Sequence, residues 1–363
     1  MPDIATKPKP KVLSAMSGGV DSALATQLLQ EQGYEVIGSM MRLWSDDLSN
    51  GAQERCCSPD AAYDARRMAD KIEIPFYLTD YHEKFEEIII DPFVGQYEAG
   101  TTPNPCIWCN RDIKFGSFLK KAHMLGCDYM ATGHFVRRID TDEGVELHRG
   151  YDLNKDQTYF LWALPKAMLP YLLFPLGEMT KDEVRAESAE RGINVAYKKS
   201  SYDLCFIKSN MKEYLSEHSQ EKIGPILDAA DNYKQIGEHN GIQFYTIGQR
   251  KGLGLYHSHL VRFVIDLQAE GNKVIVGSKE QCQWENLKAI KANWLLAKED
   301  LPKRVSVLTR YRMKPVEASV KLIDDDSFEL KFNEPVFAIT KGQSAVVYDG
   351  DRLLGGGVVA ERW

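Results

Sequence analysis

The chain has 363 residues, 44% hydrophobic and 27% charged, which excludes a disordered chain and leaves room for two or three domains with their own cores. A formal charge of −7 argues against a uniformly basic nucleic-acid binder, so any RNA partner requires a local basic stripe. Seven scattered cysteines, an odd count, speak against a secreted disulfide framework and for a reducing, cytoplasmic setting; no apolar leader or eighteen-residue apolar run suggests export or membrane association.

From Lys11 to about Gly133, β-type runs alternate with helical patterns: KVLSAMS, SALATQLLQEQG, YEVIGSMMRLW. That alternation predicts an α/β domain with a parallel sheet and crossover helices. The next helix has Ser58 as cap and Pro59 in its first turn, with Ala61, Ala65, Met68 and Ile72 on one face. IPFYLTD and CDYMATGH follow as strands. After Cys205 the alternation stops, and turn pairs such as Asn240-Gly241 and Gly271-Asn272 separate extended runs, HLVRFVIDLQ and NKVIVG among them. From Trp284 onward nearly everything is β-type, with a turn at Asp349-Gly350, as expected of a terminal β-barrel. The expected domains are 1–207, a small β-containing segment 208–282, and the barrel 283–363.

Residues 15–22 read AMSGGVDS where an apolar strand gives way to a helix. Gly18 and Gly19 free backbone amides to face an anion, and the helix start adds its positive end. Ser17 and Ser22 are placed to donate to phosphate oxygens and Asp21 to hold Mg²⁺. The pattern is neither G-x-x-x-x-G-K-[ST] nor G-x-G-x-x-G. It resembles the PP-loop, S-G-G-x-D-S, of the ATP pyrophosphatase superfamily, which implies cleavage of ATP between its α and β phosphates to adenylate a substrate oxygen.

In TTPNPCIWCNRDIKF, residues 101–115, Asn104 and Pro105 form a helix start, with Phe115, Phe118, Leu119 and Ala122 at helical spacing beyond. Cys106 and Cys109 then fall near the first turn, where the helix dipole, Arg111 and Lys114 favour a thiolate. Cys205, in SSYDLCFIK, reads locally as a buried small hydrophobe or as a third reactive thiol. Lys303 to Lys314, KRVSVLTRYRMK, is a stripe of basic residues without acids that carries Tyr311, suited to phosphate contacts and base stacking.

AMSGGVDS, TPNPCIWCN, ATGH, NKDQTYFL and DLCFI, in this order and followed by β-rich segments, resemble the bacterial tRNA 2-thiouridylase family over nearly the whole chain. The resemblance implies adenylation of the C2 oxygen of a tRNA wobble uridine and its replacement by sulfur from a cysteine persulfide. It further implies ATP contacts by Ala15, Met16, Ser17, Gly18, Gly19, Val20, Asp21, Ser22, Met41 and Gly133. Cys109 matches the nucleophile. Cys205 matches the cysteine that takes a persulfide from a sulfur-carrier protein and then forms a disulfide with Cys109, which an external reductant resets. Asn104, Pro105 and Cys106 match the segment meeting the target base; Lys155, Asp156, Gln157, Arg310 and Tyr311 match other tRNA contacts.

One residue departs from the pattern. Where the reference branch of the family has aspartate in N-P-D, this chain has Cys106, which opens a second reading: Cys106, Cys109 and Cys205 binding an iron–sulfur cluster with one open iron site. A different PP-loop ligase would not need the three cysteines or the basic barrel. A zinc-ribbon RNA binder would need a second spaced pair, whereas Cys56 and Cys57 are adjacent and His123, His134 and His148 isolated.

Overall fold

The computed structural model describes residues 9–43, 59–193, 204–207, 210–255 and 261–363; Ser58, Cys56 and Cys57 lie outside them. The chain forms two compact units: residues up to Glu86 with Cys109–Phe206, and Glu87–Trp108 with Ile207–Trp363.

The first unit is built on a parallel sheet of β1 (Lys11–Ala15), β2 (Glu35–Arg42), β3 (Phe76–Asp80), β4 (Tyr129–Ala131) and, past the antiparallel hairpin of β5 (Val136–Thr141) and β6 (Gly144–Arg149), the short β7 (Leu172–Leu173). The sheet order is β3-β2-β1-β4-β7. Val12, Leu13 and Ser14 in the central strand are fully buried, which is why β1 reads as a short apolar run rather than an alternating one. Two crossover helices follow the expected pattern: α1 (Val20–Glu31) buries Val20, Ala23, Leu24 and Leu29, and α2 (Pro59–Lys71) buries Ala61, Ala65 and Met68. Gly38 on β2 leaves room for the buried Met16, whose sulfur would lie 2.7 Å from an added Cβ.

The helix expected after Asn104 starts at Pro105, but it is not one continuous α-helix. Pro105–Trp108 is α-helical, Cys109–Ser117 is π-helical, and Phe118–Met124 returns to α. The wider turn has local causes: the Ser117 hydroxyl donates to the Asp112 carbonyl (2.8 Å), and Gly116 lets the Arg111 carbonyl approach where a Cβ would sit 2.6 Å away. Such π segments often mark functional sites.

The second unit contains a four-stranded sheet of β8 (Gly224–Asp228), β9 (Lys234–His239), β10 (Phe263–Gln268) and β11 (Lys273–Gly277), in the order β10-β11-β8-β9. Gly271 and Asn272, both at positive φ, turn β10 into β11 as their sequence predicts. The terminal strands are β12 (Gln283–Trp294), β13 (Arg304–Leu308), β14 (Val316–Leu322), β15 (Ser327–Phe337), β16 (Ser344–Asp349) and β17 (Arg352–Arg362). They pair antiparallel as β12-β15-β14-β13-β16-β17, and β17 pairs back to β12, closing the barrel around Leu287, Val305, Phe328, Leu330 and Val347. Helix Asp91–Glu98 belongs to this unit, with Phe93 edge-on to Tyr214 at 6.1 Å.

Candidate active site

The loop joining β1 to α1 is shaped by its own hydroxyls. The Ser17 backbone N–H donates to Ser22 Oγ (3.0 Å), the Ser22 hydroxyl donates to the Gly19 carbonyl (3.0 Å), and Ser17 Oγ lies 3.2 Å from Ser22 Oγ. Ser22, expected as a phosphate donor, thus spends its hydrogen on the loop. Gly19 enters α1 with extended backbone and no side-chain cap, leaving first-turn amides for an anion. Gly18 is required twice over: its φ is +71°, and an added Cβ would lie 2.2 Å from the Ala61 carbonyl oxygen. Ala15 is half-buried at the end of β1, Val20 is buried, and Met41 is half-buried on β2.

Gly133 comes to the same place from the end of β4. A Cβ there would lie 2.8 Å from the Asp21 carbonyl carbon and 2.9 Å from the Ser22 nitrogen, so glycine lets the ATGH segment rest against the first turn of α1. The next residue, His134, shares a hydrogen bond with Thr132 Oγ1 through Nδ1 (2.8 Å). Burial, with the Lys114 charge as the smaller cause, holds its pKa down to about 3, so the ring is neutral at physiological pH.

Sequence reasoning missed Lys181. Its ammonium forms an ion pair with Asp21 Oδ1, and the lysine side chain is only 6% exposed against 35% for the aspartate. Lys181 is the first residue of the helix Lys181–Glu190, whose Thr180–Glu183 capping box fixes the helix start. Its backbone N–H donates to Asp152 Oδ2 (3.1 Å), and its ammonium stands 5.8 Å from the centre of the Phe135 ring. The available signal was T-K-D-E, which places a lysine at the positive end of a helix.

Cys109 opens the π-helical segment and is 5% exposed; Cys205 is half-buried in a turn, beside Phe206, whose ring meets Phe85 edge-on at 6.0 Å. Both belong to the first unit, whereas Cys106 belongs to the second. Arg111, expected to support a thiolate, directs its guanidinium to Asp112 (2.8 and 2.9 Å). An iron–sulfur cluster requires three thiolates converging on it, and among the described residues no group of three or more Cys, His, Asp or Glu side chains is arranged to hold a metal. The cluster reading of Cys106, Cys109 and Cys205 finds no support among the described residues.

The residues matched to tRNA contacts are placed as follows. Asp156 is buried, and its carboxylate accepts from the Gly150 N–H (3.1 Å) and from the N–H and hydroxyl of Thr158 (3.1 and 2.8 Å); desolvation raises its pKa. Gln157 Oε1 accepts from the Phe135 N–H (2.9 Å), and Lys155 is half-buried. In the second unit, Gln343 donates to the carbonyls of Thr102 (3.0 Å) and Pro103 (3.4 Å), holding the chain just ahead of Asn104, Pro105 and Cys106. Arg310 Nη2 donates to the carbonyls of Ile247 (2.8 Å) and Ala338 (2.7 Å) and to Thr340 Oγ1 (2.8 Å). Tyr311 lies half-buried with the Arg312 guanidinium 5.3 Å from its ring centre.

Three family models match successive parts of the chain: the tRNA methyl transferase HUP domain over residues 10–209, the tRNA methyl transferase PRC-barrel domain over 212–278, and the aminomethyltransferase beta-barrel domain over 284–359. The chain is 52% identical to the tRNA-specific 2-thiouridylase MnmA of Deinococcus radiodurans over 97% of its own length and 92% of the relative's. The chain belongs to the tRNA-specific 2-thiouridylase family. The 2-thiouridylase MnmA of Thermus thermophilus is also 52% identical, over 96% of this chain and 94% of that one, and the 2-thiouridylase of Clostridioides difficile 43%, over 96% and 98%. The 2-thiouridylase match thus runs through the PP-loop, the CIWC segment and the barrel alike. Among the described residues no helix is long and apolar enough to cross a membrane.

Proposed function

We propose that this chain is an ATP-dependent tRNA-uridine 2-sulfurtransferase acting in the cytoplasm on the wobble uridine. The observation that carries the reading is the presence, in one compact unit, of an uncapped glycine-rich strand-to-helix loop and the cysteines Cys109 and Cys205. The loop amides and α1 hold the triphosphate, Gly133 keeps the floor of the site close, and Met41 borders the adenine. Asp21 suits a magnesium site that is completed by phosphates, since one carboxylate plus phosphate oxygens is a common Mg²⁺ ligand set. The ion itself would supply neutralisation of phosphate charge.

The uracil C2 oxygen attacks the α-phosphorus and pyrophosphate leaves, which turns a poor leaving group into AMP. A persulfide on Cys205, received from a sulfur-carrier protein, bonds through its terminal sulfur to C2 as AMP departs. The Cys109 thiolate then attacks Cys205 Sγ: the sulfur–sulfur bond breaks, the electron pair stays on the transferred sulfur, and a Cys109–Cys205 disulfide forms. A two-electron thiol reductant restores both thiols. Asn104, Pro105 and Cys106 face the target base, and Lys155, Asp156, Gln157, Arg310 and Tyr311 serve tRNA binding, by contact or by shaping the contact surface.

The test is reconstitution of purified chain with tRNA, ATP, Mg²⁺ and a persulfide donor. 2-Thiouridine and pyrophosphate should form together, and Asp21→Ala should lose both by about two to three orders of magnitude. Thiolation that proceeds without ATP, or undiminished pyrophosphate release by Asp21→Ala, would overturn the adenylation assignment.

A further inference from the structure

Among the described residues, Lys181 is the one buried lysine, at 5% exposure. Its position is unfavourable on two separate counts. Withdrawing an ammonium from water costs on the order of several kcal/mol before compensation, and the first residue of a helix lies at the positive end of the helix dipole, where a cation is disfavoured. The capping box of Thr180 and Glu183 nevertheless fixes the helix start so that Lys181 occupies that place, and Asp152 holds its backbone N–H. The Phe135 ring shields the ammonium on one side, and Asp21 is its partner.

Asp21 is the second residue of α1, the helix whose first-turn amides are left without a side-chain cap. The Lys181 ammonium is therefore one carboxylate away from the anion cradle. A pair required only for stability would gain from apolar replacement as often as not. A cation needed at the phosphates must be kept there, and a carboxylate that holds it in the absence of nucleotide makes its burial tolerable.

We propose that Lys181 is the cation that receives the departing pyrophosphate in the adenylation step, with Asp21 holding it in place until ATP enters. This rests on the ATP chemistry proposed above. In that step a bond forms between the uracil C2 oxygen and the α-phosphorus, and the bond from that phosphorus to the α–β bridging oxygen breaks. The electron pair goes to the bridging oxygen. The uracil N3 proton is released and balances the step as hydrogen pyrophosphate. Negative charge grows on the β-phosphate as the bond breaks, and a fixed, water-shielded ammonium stabilises that charge more than it stabilises bound ATP.

The experiment uses the full chain and two probes that divide ATP at the cleaved bond, inorganic pyrophosphate and AMP, titrated calorimetrically in Mg²⁺ buffer. Lys181→Met should weaken pyrophosphate binding about tenfold or more and change AMP binding by less than about twofold. Its kcat for tRNA-dependent pyrophosphate release should fall about a hundredfold. Lys181→Arg, which keeps the charge and is the variant to use if Lys181→Met melts below the assay temperature, should retain pyrophosphate affinity within about threefold while Lys181→Gln loses it. Equal weakening of both probes, or pyrophosphate affinity unchanged in Lys181→Met and Lys181→Gln, would overturn the proposal. Wild-type chain that binds neither probe nor ATP would overturn the ATP chemistry itself, a result distinguishable from the first.

Discussion

Lys181 and Arg310 are both basic side chains drawn away from solvent, one in each compact unit, and they spend their charge differently. Lys181 faces a carboxylate beside an uncapped helix start, where an incoming anion can compete for it. Arg310, in the middle of the basic stripe that suggested RNA binding, has Nη2 committed to two backbone carbonyls and a hydroxyl from the middle sheet's connections and the end of β15. A cluster of basic letters therefore locates charge in the chain without saying where that charge points. Exposed Lys303, Arg304, Arg312 and Lys314 are the members of the stripe that face solvent.

The largest effect that would sharpen this contrast comes from the close packing around the anion loop. In Gly133→Ala the added methyl must displace the backbone of Asp21 or Ser22, at a cost of about 1–3 kcal/mol. Nucleotide affinity should drop with it, while tRNA affinity, measured by filter binding without ATP, stays within about twofold. Equal losses for both ligands would mean that the packing supports the whole unit rather than the nucleotide site.

Arg310→Met comes next. It leaves the Ile247 and Ala338 carbonyls short of a charged donor and should destabilise the second unit by about 1.5–3 kcal/mol in urea melts, with ATP and pyrophosphate binding unchanged. If instead the melt is unaffected and the salt dependence of tRNA binding falls by about one counterion, Arg310 is a phosphate contact and the contrast with Lys181 collapses. The smallest effect concerns His134. Its folded-state pKa, held down to about 3 from 6.5, means the unfolded chain binds the proton more readily, so stability rises with pH between those values and is flat above them. His134→Gln should flatten that part of the melting-temperature profile relative to wild type. An unchanged slope would show that the ring is not buried in its neutral form.

Much of this architecture was legible because it depends on short-range rules. The apolar run of β1, the glycine pair and the amphipathic start of α1 adjoin one another, and the turn pairs Gly271-Asn272 and Asp349-Gly350 lie where hairpins reverse. The π-helical turn was not legible, because Phe115, Phe118, Leu119 and Ala122 fit an α-helical face equally well; the widening depends on where the Ser117 hydroxyl and the Arg111 carbonyl go. Lys181 was hidden for another reason. It lies 160 residues from Asp21 in sequence, and only the fold joins them. Asp156 and Gln157 carry polar letters in a polar stretch, yet the structure turns both toward backbone groups. Composition indicates solvent there, and the backbone's unmet hydrogen bonds decide otherwise.

The central claim is that two thiols in the PP-loop unit deliver sulfur to an adenylated uridine. Its most direct test is mass spectrometry of tRNA nucleosides from cells lacking this protein, complemented with wild type, Cys109→Ser or Cys205→Ser. The account predicts that 2-thiouridine disappears, returns with wild type, and fails to return with either serine variant. Full 2-thiouridine in the deletion, or its restoration by either variant, would contradict it.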